Sequence, residues 1–247
     1  MKSVELFVSV GLASAVSLSA VGIVNASKYR LVNEEISEEV STVLIAEGEE
    51  DGEDATELSP GEQANADFQD KISGKELLSE LQNGGYVIYF RHAQTEKKNA
   101  DQVTVDVNNC STQRVLSEVG LQQALTIGEG FETSEIPIGT VTTSEYCRAW
   151  STAALAFGYY EKDSALNFLP VEDYTDEQVE QIKANITPLL TAVPEDGTNS
   201  IIVGHDNFES ATGIYPDPQG IAYIVKPDDN GGFEVVANML PEEWGEL

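Results

Sequence analysis

Tyr86-Val87-Ile88-Tyr89-Phe90-Arg91-His92 decides how this chain is read: five consecutive apolar, β-branched or aromatic residues run straight into an arginine and a histidine. Such a run suits a central strand buried on both faces of a sheet. Ser200-Ile201-Ile202-Val203-Gly204 has the same character and ends at His205. Upstream of the first run, Leu77, Leu78 and Leu81 recur at helical spacing, with Ser73 placed as an N-cap and Gly84-Gly85 as the stop. Between the two runs, a helix is predicted from Ser117 to about Phe131, with Leu121, Ala124, Leu125 and Gly128 on one side. Gly139 to Ser144 reads as a short strand, and Ala149 to Phe157 as a helix stopped by Gly158. Thr175 with Gln178 makes a capping box for a further helix, which should end or kink near Pro188. Ile221–Val225 and Phe233–Ala237, separated by a turn containing Asn230-Gly231, read as a hairpin. Strands alternating with helices imply a three-layer α/β domain, a mostly parallel sheet flanked by helices. Ligands of such sheets bind at the carboxyl ends of the strands, where both histidines lie.

The rest of the chain bounds the setting. Thirteen Lys and Arg face forty-three Asp and Glu, a formal charge of −30. That surface repels nucleic acid and anionic lipid. Leu6 to Val24 carries no charge, Lys2 precedes it, and Val24-Asn25-Ala26 offers small residues for cleavage. Residues 1–26 are therefore expected to be a secretory signal, with an uncleaved membrane anchor as the alternative. Both place the protein outside the cytoplasm, periplasmic or extracellular. Asn33 to Asp70 has no Lys or Arg and a core of acids, so residues 27–72 are expected to be a disordered linker and 73–247 the folded domain. Cys110 and Cys147 are the only cysteines, either a disulfide or two buried thiols.

Scarcity marks the site. The chain has two histidines and four arginines, of which Arg91, Arg114 and Arg148 lie inside the domain. Guanidinium groups fit the free oxygens of a phosphate ester. A neutral imidazole is a competent nucleophile toward phosphorus. Adjacent arginines disfavour imidazolium and so help keep His92 neutral. No His-rich metal spacing and no Gly-x-Ser-x-Gly elbow is present, which disfavours metal-assisted and serine hydrolysis.

Tyr89-Phe90-Arg91-His92-Ala93-Gln94-Thr95 resembles the Arg-His-Gly signature of the histidine phosphatase superfamily, the phosphoglycerate mutase-like fold. Three later stretches resemble its further motifs in family order: Gln113 to Gly120 around Arg114, Ser144 to Ala149 around Arg148, and Val203-Gly204-His205. The resemblance spans roughly residues 86 to 206 and departs at Ala93, where the family usually has Gly. It implies a metal- and cofactor-independent phosphomonoester hydrolase with His92 as the phosphorylated nucleophile. Arg91, Arg148 and His205 would complete the phosphate pocket, Thr95 is the expected extra donor, and Arg114 is the weakest member. Arg114 could instead pair with Glu118, four residues on. His205-Asp206 resembles the His-Asp pair of the phytase-like branch, which makes Asp206 the first choice of general acid, ahead of Glu145 and Glu172. A nucleophilic Cys147 is the minor rival to His92. The alternative function is a catalytically silent module that binds phosphate or a phosphoester in the same pocket. Substrates of the enzyme would be a small phosphoester or a phosphorylated macromolecule. Loops including Tyr159 to Tyr174 are expected to shape that choice.

Overall fold

A computed structural model describes residues 57–98, 101–102, 105–169, 174–228 and 230–247. The expected signal segment, most of the acidic linker and Glu172 lie outside them.

Six strands form one sheet. In chain order they are β1 (Val87–Arg91), β2 (Ile138–Thr143), β3 (Glu161–Lys162), β4 (Asn199–Gly204), β5 (Ala222–Pro227) and β6 (Phe233–Met239). Their spatial order is β3-β2-β4-β1-β5-β6. The first four in that order run parallel, and β5 is antiparallel to both β1 and β6. The crossovers that parallel pairing demands are supplied by helices. In chain order the helices are α1 (Pro60–Ala66), α2 (Gly74–Asn83), α3 (Glu118–Thr133), α4 (Cys147–Phe157), α5 (Asp176–Leu190) and α6 (Phe208–Thr212), of which α3, α4 and α5 are the crossovers.

The pleat of β1 sorts the core into two layers. Ile88 and Phe90 join Leu77 and Leu81 of α2, Ile127 and Phe131 of α3, Ala149 and Ala153 of α4, and Trp244. Val87 and Tyr89 join Ile186 and Leu190 of α5 and Phe208 of α6. Every residue of β1 is buried, as a strand covered on both faces must be. The three-layer α/β architecture read from the sequence is the one observed.

Several expectations need correction. Order does not begin at Ser73. Ser59 caps α1 through a capping box with Glu62, and Pro60 stands at the first helical position, a start signal that the acidic composition hid. This short helix is tied down: Asn65 donates to the Asp217 carbonyl, Tyr215 donates its N–H to the Gly61 carbonyl, and Phe68 packs edge-on against Tyr223. Linker character therefore cannot extend through residue 72.

The inward face of α3 also differs. Gly120, Ala124, Ile127, Gly130 and Phe131 are buried, whereas Leu121 and Leu125 are exposed. The helix is turned by its first turn, where Gly120 lies so close to the loop after β1 that a Cβ would meet the Gln94 carbonyl at 2.0 Å. α4 begins at Cys147, two residues before the predicted start. α5 has the expected capping box and ends at Leu190, so Pro188 sits in the last turn and removes only one helical bond.

Candidate active site

The site is built at the carboxyl ends of β1 and β4, which pair in parallel so that Arg91 lies opposite Gly204. His92 and His205 therefore leave the sheet side by side. Their ring centroids are 5.3 Å apart with the planes at 68°. A buried hydroxyl fixes the second turn: Tyr89 Oη donates toward Asn207 Oδ1 at 2.7 Å and accepts the His205 N–H at 3.0 Å. Gly204 permits this, because a Cβ there would lie 2.2 Å from that hydroxyl.

The tautomer of His92 follows from its partners. Nδ1 lies 2.9 Å from the Ala93 carbonyl oxygen, which can only accept. Nδ1 therefore carries the proton. Arg148 Nε donates to Nε2 at 3.1 Å, so Nε2 presents its lone pair. His92 is 3% exposed, and burial followed by the Arg148 charge holds its pKa well below the usual histidine range. Arg91 and Arg114 push the same way, while the Ala93 carbonyl opposes them. The imidazole is thus neutral near pH 7, with Nε2 unprotonated.

His205 is equally buried. Its Nε2 lies 2.8 Å from the Ser144 hydroxyl, while Nδ1 is buried without a partner among the described residues. Burial and then Arg148 push its pKa well below the ordinary value. Tyr146 and Phe168 pack against its ring, and the Arg148 guanidinium lies 4.8 Å from the centroid of each. Burial lowers Arg148 to about 10, which leaves it charged at neutral pH.

Arg91 is held from outside the hollow. Its Nη1 donates to the Pro216 carbonyl and to Asp217, both at 2.8 Å, and its Nη2 donates to the Tyr215 hydroxyl at 3.3 Å. Its Nε is buried and unpartnered among the described residues. Arg91 Nε and His205 Nδ1 are two orphaned buried groups flanking His92 in sequence or in space. A buried polar atom without a partner is costly unless a ligand or water satisfies it.

The structure thus gathers His92, His205 and Arg148 directly, with Arg91 beside them. Thr95 is buried close by, but its hydroxyl is directed to Gln219 Oε1 at 3.3 Å. Arg114 does not pair with Glu118 among the described residues. Its backbone N–H donates to Asp101 Oδ1 at 2.7 Å, and its Nε lies 3.8 Å from Asp101 Oδ2. Asp206, next to His205, lines a cavity of about 600 Å³ with Tyr174, Glu209 and Tyr215. Glu145 is engaged by the Asn167 amide at 2.8 Å. Cys147 is bonded to Cys110, so it has no thiol to attack with.

Two members were missed from the sequence. Asp101 bridges Arg148 Nη1, at 3.2 Å, to the Arg114 backbone. Among so many acids nothing in its neighbourhood marked it. Ser144 was quoted within a motif, yet its contact to His205 spans 61 residues of sequence and is invisible before folding.

No family model matches the chain, and no curated protein matches it. Its fold is similar to that of several solved structures. A protein histidine phosphatase, SixA, complexed with tungstate, has 17% identity and a TM-score of 0.43, with 63% of this chain and 97% of that one covered. YhfR of Bacillus stearothermophilus has 18% identity and a TM-score of 0.42, covering 62% and 95%. Phosphoserine phosphatase from Entamoeba histolytica, in complex with 3-phosphoglyceric acid, has 13% identity and a TM-score of 0.42, covering 62% and 95%. Identities this low say nothing of chemistry, which rests on the side chains just described.

Proposed function

We propose that this chain is a histidine phosphatase: a phosphomonoester hydrolase that passes the phosphoryl group through His92. One observation carries the reading. The lone pair of His92 Nε2 is kept free of a proton and faces Arg148, while the orphaned Nδ1 of His205 lies in the ring beside it.

The chemistry follows from these atoms. His92 Nε2 attacks phosphorus, forming a P–N bond as the ester P–O bond breaks. Arg148, Arg91 and His205 stabilise the equatorial oxygens as charge redistributes. The departing oxygen takes a proton, because an alkoxide is a poor leaving group. Asp206 is the assigned donor by its position after His205. Water then attacks the phosphohistidine, gives its proton to the same carboxylate, and the P–N electrons return to Nε2. Arg114 and Thr95 stand at the edge of this pocket and contribute less.

The Cys110–Cys147 disulfide supports an oxidising compartment, in keeping with export directed by residues 1–26.

The test is turnover of an aryl phosphate with trapping of an acid-labile phosphoenzyme. Wild type should give both, and His92→Ala should give neither, with kcat reduced by at least about 10³-fold. Phosphate binding without turnover in the wild type would overturn the proposal in favour of the silent module.

A further inference from the structure

A cavity of about 360 Å³ lies against Arg91, on the side of Lys97 and Arg114. Its hydrogen-bonding capacity is one-sided. Gln123 Oε1 accepts the Gln94 backbone N–H and Gln219 Oε1 accepts the Thr95 backbone N–H, both at 2.9 Å. A backbone N–H can only donate, so the orientation of both amides is fixed. The NH2 group of each glutamine is thereby left to donate to a ligand.

The charged wall follows the same pattern. Asp217, the one acid on it, is held by Arg91 at 2.8 Å. Lys97 makes no hydrogen bond or ion pair among the described residues. The Arg114 side chain has only its loose pairing with Asp101, at 3.8 Å. In a chain with forty-three acids and thirteen bases, a lysine and an arginine left so free on one wall stand out. The cavity therefore presents more donors and positive charge than free acceptors. Against the repulsive field of the whole protein, such a wall focuses anions locally.

Arg91 and Arg114, both on the wall of this cavity, lie near enough to His92 for their charges to act on its ring. A group bound there and a phosphoryl group at His92 would belong to one small molecule. The volume is at the small end of ligand pockets.

We infer that this cavity is a subsite for a second oxyanion, a carboxylate or a second phosphate, carried by the alcohol part of the phosphoester. The inference rests on the phosphohistidine reading for its substrate, and names that substrate as a small phosphoester that bears a second anionic group. Lys97 is the specificity determinant, since it is exposed and takes no part in the phosphoryl hollow. Arg114, Gln123 and Gln219 supply the directed donors.

The experiment separates binding from turnover. Calorimetry on His92→Ala compares 2-phosphoglycolate with ethyl phosphate, which has the same chain length but no carboxylate. The carboxylate should tighten binding about tenfold, the worth of one charge-assisted hydrogen bond. Lys97→Glu should abolish that preference and leave ethyl phosphate unaffected. Equal binding of the two esters, or a preference that survives Lys97→Glu, overturns the subsite. Hydrolysis of both esters by the intact protein is measured in parallel. Hydrolysis with no preference for the carboxylate sinks the subsite and spares the phosphatase. A Lys97-dependent preference in binding without hydrolysis sinks the phosphatase and spares the subsite.

Discussion

Two cavities flank the stacked pair of Arg91 and Tyr215, and they are opposites. One is bordered by Lys97, Arg114 and amide donors. The other, reached through the Tyr215 ring that Arg91 covers at 5.1 Å, is bordered by Asp206 and Glu209. Burial, then the Asp206 charge and the Glu62 charge, raise the Glu209 pKa. The difference shows how a chain of net charge −30 can still present a cationic wall. It gathers Arg91, Lys97 and Arg114 on one rim and sets Asp206 and Glu209 on the other. Under the proposed mechanism the basic side would govern how tightly a substrate binds, and the acidic side how fast its oxygen leaves.

The sharpest way to break that division is Asp206→Asn. It should lower kcat on alkyl phosphates by about 10²–10⁴-fold. The loss should be much smaller on p-nitrophenyl phosphate, whose leaving group needs no proton. Equal losses on the two substrates, read from steady-state kinetics, would remove Asp206 from the acid role.

A second test bears on the basic side. The disulfide joins Cys110, in the segment between Asp101 and Arg114, to Cys147, beside Arg148. The bridged residues are 37 apart in sequence. A loop of that size implies a stabilisation of about 4 kcal/mol by chain-entropy arguments. The Cys110→Ser, Cys147→Ser double variant should lose stability of that order in denaturant melts. Its KM should rise more than its kcat falls, because Arg114 and Arg148 lose their common tether. A change confined to kcat would place the tether on the wrong side of the comparison.

The smallest effect concerns pH. His92 and His205 both have folded pKa values pushed below the ordinary value of about 6.5. As pH falls, the unfolded chain takes up these protons first. Their share of stability is therefore intact above about pH 6.5 and lost on going below it. Tm should begin to fall there, before the carboxylates titrate, and His205→Asn should flatten the slope. By the same sign, His92 stays unprotonated below pH 6.5, so kcat/KM should show no acid limb there. An acid limb near that value would mean that the nucleophile is not buried as described.

Much of the fold was legible. β1 and β4 announced themselves as unbroken apolar runs, and the Thr175 capping box marked α5 without ambiguity. The acidic stretch misled at Ser59, where composition outweighed a local helix signal. On α3, leucine content pointed to the wrong face, because the glycine contact that orients the helix involves a residue 26 positions earlier.

By itself the sequence determined the strands, the alternation with helices, and the two histidines and three arginines that any phosphate chemistry here would have to use. Those features are local periodicities or simple scarcity, and they survive without a folded chain. The tertiary structure alone decided that His92 and His205 touch, that Arg148 meets Nε2, that Asp101 spans two arginine positions, and that the two cysteines join. It also decided which end of each glutamine amide is left free. Each of these depends on strand register and on loops closing across dozens of residues, and side-chain periodicity carries no record of such distances.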